Sequence, residues 1–350
     1  MSAALTRQRE PSGAPADVST RKLTERVFRA RESGILAVLV VFVAVTTIIQ
    51  PRFLSQQNVH FVLINTTVFA LLAVGETMVV VSRNVDLSVG SVVGLSAFLS
   101  ARLFGQLHGI PIPVVFLAGL GIGVACGLAN GLMVAVGRVP SLVVTLATLY
   151  VIRGLDILIV GGGVVDANTL PGGFVGIPQA SVLGVPYLVI AVAAVVAVSA
   201  YYLRYYRSGR ELYAIGSNPE GARLAGIPVA KRVFTAFAVS GALAGIAGVL
   251  WAAQYQTIDS TAGTSYELTV IASVVVGGVA IFGGSGSVVG AVIGALLLQT
   301  ITSALNVLGI SGYWDQAIAG FLLLLAIALD RVIAVRLVAA LRRRSIRGTA

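Results

Sequence analysis

The residues of this 350-residue chain best suited to chemistry are polar side chains set inside long apolar runs. Glu76 follows Leu-Leu-Ala-Val-Gly and precedes Thr-Met-Val-Val-Val; Arg153 and Asp156 stand three apart, which places them on one helical face where they can pair. Asn65, Asn130, Thr145, Gln299 and Asn306 lie in similar surroundings. Polar groups are expensive in lipid and default to functional candidates. A carboxylate at that depth could couple an ion, and amides and hydroxyls could make weak contacts with a polar solute. The same residues could instead serve by neutralised pairing or by hydrogen bonds between helices. Other chemistry lacks its parts. His60 and His108 are isolated, no HExxH or other metal-ligand motif occurs, and no Ser/His/Asp arrangement is suggested, so a membrane enzyme is not expected. The glycine-rich run 277–295 is not a phosphate loop, which needs Gly-Lys-Ser/Thr after its glycines. The chain's lysines are Lys22 and Lys231, so it does not hydrolyse ATP by that route.

These residues need elements of membrane length to position them. The chain is 57% hydrophobic and 11% charged, beyond any ordinary soluble domain, and reads as an all-α polytopic membrane protein. At about 20 apolar residues per helix, ten spans emerge, near 34–50, 59–82, 88–104, 113–136, 141–161, 186–203, 233–253, 267–283, 287–306 and 313–330. The second, third, eighth and ninth could be broken, half-length or re-entrant. Many of the 40 glycines fall inside spans, among them Gly119, Gly121, Gly123, Gly127, Gly241, Gly245 and Gly248, and would let helices approach closely. Cys126, the single cysteine, reads as a small buried hydrophobe. Residues 1–33 read as a disordered basic cytoplasmic tail, 34–333 as the membrane domain and 334–350 as a second basic tail.

The 24 Lys and Arg set the orientation. Seven precede the first span, six lie between Arg204 and Arg232, and six follow Asp330; Arg83 and Arg138 fall on the same side, while Arg52 and Arg102 fall opposite. By the positive-inside rule both termini are cytoplasmic, and the net charge of +10 needs no nucleic-acid partner. The opposite connections, 162–185 and 254–266, carry no Lys or Arg but hold Asp166, Asp259, Gln254, Gln256, Tyr255 and Tyr266; they could receive a polar solute or a basic partner surface, or be ordinary hydrated loops.

Three polar segments interrupt the apolar pattern. In 208–232, Asn218 can cap a short helix that starts at Pro219, with Glu220 in its first turn; Gly226 can close it in a left-handed conformation, and Pro228 prevents it restarting. A capped helix in a basic cytoplasmic loop, 205–232, suits docking to a partner. In 75–97, Asp86 or Ser88 can cap the third span in a tight connection at the inner boundary. The pentapeptide Gly90–Gly94 recurs as Gly286–Gly290, both at expected cytoplasmic turns, which would fit an internal duplication.

Four stretches, SRNVDLSVGSVVGLSA (82–97), PSLVVTLATLYVIRG (140–154), GRELYAIGSNPEGARLAGI (209–227) and VVVGGVAIFGGSGSVVGAVIGALL (274–297), closely resemble the permease subunits of bacterial ABC importers of the ribose/monosaccharide class, related to branched-chain amino acid permeases. The resemblance covers about 34–333. It implies a non-catalytic subunit of the bacterial inner membrane that pairs with a second permease copy, identical or similar, and works with an ABC ATPase and a solute-binding protein. This chain would bind no cofactor; the ATPase would use ATP and Mg²⁺. Asn218, Pro219, Glu220, Ala222, Arg223, Leu224 and Gly226 match the family's coupling helix, which sits in a cleft of the ATPase, although the family commonly has alanine where Gly221 stands. Asp86, Leu87, Ser88, Gly90 and Ser91 match a family motif. The pair Arg83–Asn84 and the Thr-Leu-Ala-Thr-Leu run are similar to the rhamnose and autoinducer-2 branches. The implied cargo is a small sugar, such as rhamnose or ribose, or autoinducer-2, meeting Asn65, Glu76, Asn130 or Thr145 on a translocation path. The alternative is a self-contained ion-coupled transporter using Glu76 or the Arg153/Asp156 pair.

Overall fold

The computed structural model describes residues 17–107 and 109–328, with side chains from Glu32 onward; His108 and the C-terminal basic tail 334–350 lie outside the described residues. Where apolar sequence is long and uninterrupted, helices follow: α1 (Asp17–Ile49), α2 (Gln56–Val81), α3 (Val89–Gln106), α4 (Ile112–Gly131), α5 (Ser141–Val160), a single turn α6 (Gly172–Val175), α7 (Tyr187–Tyr205), α8 (Arg207–Ser217), α9 (Pro219–Leu224), α10 (Val229–Tyr255), α11 (Tyr266–Val276), α12 (Val288–Val307) and α13 (Tyr313–Ala328). A π-helical turn, Leu132–Val136, extends α4. The named strands, β1 (Ser181–Val182) and β2 (Val185–Pro186), form one small hairpin in the α5–α7 connection.

Eight of these helices are long and apolar enough to cross a bilayer, and α11 and α13 are shorter apolar helices. The eighth expected span, 267–283, is half a helix. α11 ends at Val276 because Gly277 and Gly278 follow, the latter at φ 92°, and residues 277–287 run on without regular structure to Ser287, whose hydroxyl caps α12 by accepting from the Gly290 N–H at 2.9 Å. α1 begins at Asp17 rather than near Gly34, since the Arg, Glu and Leu residues ahead of the apolar run are good helix formers that extend a helix already nucleated by it.

α2 and α10 form the centre. α10 packs on α2, α3 and α4, while α2 also meets α7, α11 and α12. The α4–α10 contact is made backbone to backbone: a Cβ added at Gly123 would strike the Gly241 carbonyl, one at Gly241 the Gly123 carbonyl, and one at Gly245 the Gly119 carbonyl. Gly121 faces open space and takes no part. α1, α4, α5 and α7 turn apolar faces outward, with Val40, Leu117, Val151, Leu158 and Val198 all exposed, as lipid or a second membrane subunit requires. Cys126 is half-buried rather than fully enclosed.

The connection 82–88 is not a surface turn. Ser82, Asp86 and Ser88 are buried, and α3 starts against the opposite connection, with Gly90 packed on Gly263 and Glu267. The repeated pentapeptide therefore has two settings. Gly90–Gly94 is wholly helical and deep, whereas Gly286 adopts a positive φ of 135°, open to glycine, and Gly286–Gly290 straddles the start of α12.

Candidate functional site: a capped helix on a platform and a buried polar node

The polar segment after α7 folds as two helices. α8 buries Gly209, Glu211, Leu212, Ile215 and Gly216, a face that lies on the ends of other elements. Gly216 sits against the backbone of Val81 and Gly284, the Gly284 N–H donates to the Val81 carbonyl at 2.9 Å, and the Tyr213 hydroxyl donates to the Gly286 carbonyl at 3.1 Å. α8 is thus a platform packed on the end of α2 and hydrogen-bonded to the non-helical passage 277–287. Burial pushes the Tyr213 hydroxyl up to about 12, so it stays a donor.

α9 stands on that platform with the expected ends. The Asn218 Oδ1 accepts the Gly221 N–H at 3.0 Å, Pro219 is the first helical residue and Glu220 lies in the first turn. At the other end the Gly226 N–H donates to Arg223 O and the Ile227 N–H to Ala222 O, both at 3.0 Å, with Gly226 left-handed at φ 76°. Ala222 is tucked in; Glu220, Arg223 and Leu224 point away, Leu224 being 89% exposed. Gly221, a poor helix former, is accounted for by the cap: a Cβ there would approach the Asn218 amide nitrogen to 2.9 Å and turn the capping side chain aside.

Glu211 ties α8 to α10. Its carboxylate accepts from Arg207 at 2.9 Å and from Arg232 near the start of α10. The Arg232 hydrogen bond, reinforced by that of Arg207, outweighs burial and holds Glu211 below its ordinary 4.5. Sequence reading missed both α8 and Glu211. The available signal was Arg207 and Glu211 at i, i+4 with Leu212 and Ile215 beside them.

Above the platform lies a buried polar node. Asp86 neither caps α3 in the usual way nor points to water. Its Oδ1 accepts from the Ser88 N–H at 3.0 Å and the Ser88 hydroxyl at 2.6 Å, and its Oδ2 accepts from the Ser240 hydroxyl of α10 at 3.3 Å. The Glu76 Oε1 accepts the Asp86 N–H at 3.0 Å, and Asn130 of α4 donates to Ser88 Oγ at 2.8 Å. The Ser141 hydroxyl accepts the Val85 N–H, and the Thr145 hydroxyl reaches Val85 O, both at 3.2 Å. The node thus joins α2, α4, α5 and α10 to one connection; Glu76, Asp86, Ser88, Asn130, Thr145 and Ser240 are buried, while Ser141 is half-buried at its edge. Ser91 turns back to Ser88 O at 2.8 Å, Gly90 gives clearance for Gly263, and Leu87 is half-buried with no polar role.

Of the four path candidates, Glu76, Asn130 and Thr145 meet here. Asn65, eleven residues up α2 and so about 16 Å away along its axis, does not. Its Oδ1 accepts from Gln254 at 2.9 Å and from the Tyr255 hydroxyl at 2.7 Å, beside a Trp251–Tyr255 stack with centroids 4.5 Å apart. All four side chains are enclosed by protein and bond helices to each other in this state. Arg153 and Asp156 do pair, at 3.4 Å, but Arg153 spends its donors on the carbonyls of Ala262 at 2.7 Å and Ser260 at 3.2 Å, fastening the 256–265 connection.

Residues 58–327 match the family described as branched-chain amino acid transport system, permease component. The chain is 35% identical to the ribose import permease protein RbsC of Escherichia coli K12 over 318 residues, 89% of this chain and 97% of the relative. It is 36% identical to the autoinducer 2 import system permease protein LsrC of Enterobacter sp. strain 638, over 85% of each chain. It is 36% identical to RbsC of Haemophilus influenzae over 83% of this chain and 90% of the relative. No solved structure matches it. The ion-coupled alternative is not favoured by these likenesses, and the chain belongs to the family of permease components of branched-chain amino acid transport systems, as a multi-pass, non-catalytic subunit of the bacterial inner membrane.

Proposed function

We propose that the chain forms, with a second permease subunit, the membrane path of an ATP-driven importer for a small sugar or a sugar-like signal of the ribose or autoinducer-2 kind. The observation that carries this reading is the near end-to-end likeness to a ribose import permease, 89% of one chain against 97% of the other. α9 supports it: a capped helix that hides Ala222 and presents Glu220, Arg223 and Leu224 is built to be gripped from the cytoplasm. ATP and Mg²⁺ belong to the partner ATPase, and a solute-binding protein supplies affinity on the far side. Closure of the ATPase pair displaces α9, and α8 and α10 carry that motion to the helices around the node.

Uptake by proteoliposomes tests this reading. Labelled ribose should enter only when the permease, its ATPase, its binding protein and ATP are all present. Uptake by the permease alone under a proton or sodium gradient would overturn the proposal. Reversing charge on α9, by Glu220→Arg or Arg223→Glu, should reduce co-purification of the ATPase at least about tenfold and leave membrane insertion intact; unchanged co-purification in both variants would remove α9 from the contact.

A further inference from the structure

At the basic end, the residues just after α2, the α4–α5 turn and α9 with the start of α10 surround an open cavity of about 1040 Å³. Arg83, Arg138, Arg223 and Lys231 line it, and its described lining contains no Asp or Glu. Between the cations the wall is aliphatic. Val136, closing the π turn of α4, and Leu142, opening α5, are 62% and 56% exposed. Arg83 and Arg138 both adopt left-handed backbone, at φ 67° and 56°, a region where Gly or Asn is the easier residue. An arginine in such a turn contributes its guanidinium, since the turn alone would favour a smaller residue.

We propose that this cavity binds an anionic phospholipid of the inner leaflet, its phosphate held by Arg83 and Arg138 and an acyl chain lying along Val136 and Leu142. The guanidinium fork matches phosphate oxygens. Ser141 accepts the Val85 N–H through its oxygen, which leaves its hydroxyl proton for the same phosphate. Position selects lipid over an acidic protein segment. Val136 and Leu142 sit at the ends of two spans, and an acidic segment would leave these aliphatic side chains facing water, whereas a lipid covers charge and wall together. Cations at this level gain from an anionic leaflet in any case; the cavity turns that general attraction into a site. The proposal holds whatever solute the permease carries.

Native mass spectrometry of the full-length permease in mild detergent, with phosphatidylglycerol and phosphatidylcholine of matched chains, tests it. Wild type should retain phosphatidylglycerol selectively. Arg83→Asn/Arg138→Asn, which suits the left-handed backbone and should keep the wild-type melting temperature, should lower that preference at least about tenfold; Arg83→Lys/Arg138→Lys should keep most of it. Arg210→Gln, an exposed cation of the same end outside the cavity, should leave it unchanged. An undiminished preference in the asparagine pair overturns the proposal, and so does an equal fall in Arg210→Gln, which would mean surface charge alone. Displacement of the lipid by millimolar glycerol phosphate would show a free-anion site, and displacement by an acidic peptide a protein-docking site; either would overturn the lipid assignment.

Discussion

Asp86 and Glu211 are both buried carboxylates, and the protein satisfies them by opposite means. Asp86 lies among membrane helices, where two hydroxyls and one backbone N–H meet it and, among the described residues, no cation does. Glu211 lies at the water boundary with its side chain 7% exposed, held between Arg232, 21% exposed, and Arg207, 84% exposed. The difference follows from what each setting tolerates. Neutral donors fix geometry deep in the bundle without burying another charge, whereas guanidiniums at the edge remain partly hydrated while they pair. The core node therefore depends on every partner being present, and the platform node has a spare.

Asp86→Ala should break the comparison most severely. It leaves the Ser88 N–H and two hydroxyls without an acceptor in the interior and should destabilise by about 3 kcal/mol or more, read as a lowered melting temperature of the purified permease. Arg232→Gln should rank next, at about 2 kcal/mol, because it strands a buried carboxylate that retains one exposed partner. Glu76→Gln keeps an oxygen to accept the Asp86 N–H and should cost about 1 kcal/mol or less; a larger loss would mean that the charge itself holds the connection. Arg207→Gln should fall within about 0.5 kcal/mol of wild type, as exposed pairs do.

Acidity sharpens the same contrast. Because Glu211 is held below 4.5, its ion pairs contribute in full above about pH 4.5. That contribution is lost as the pH falls through the lowered value. Melting temperatures followed from pH 7 to pH 3 should drop for wild type below pH 4.5, with a smaller drop in Arg232→Gln. Equal pH profiles would sink the assignment of Arg232 as the partner that sets the shift.

How much of this could be read in advance depended on range. The spans and the ends of α9 were legible because apolar length, Asn218, Pro219 and Gly226 act within a few residues. That the eighth span could be half-length was legible too, but its end was not, because Val279, Ala280 and Ile281 continue the apolar run past the glycines that end α11. α8 was hidden because its sequence is polar and the surface that receives it is assembled from α2 and the 277–287 passage. Glu76, Asp86, Asn130 and Thr145 each stood out, but their meeting required the 82–88 connection to fold inward, which no local pattern announces. The Arg232–Glu211 contact spans 21 residues and was equally out of reach.

The unbroken course of α10 has a mechanical consequence. It begins one residue after Pro228, close behind α9, and runs 27 residues to Tyr255, about 40 Å, without a kink-forming proline. Its glycine seam against α4 leaves no compliant side-chain layer between the two backbones. The pair should therefore behave as one stiff rod, so that force applied at one membrane face arrives at the other as displacement. Any bending must then be taken up elsewhere, in the stretches 82–88, 256–265 and 277–287 where the chain is not helical.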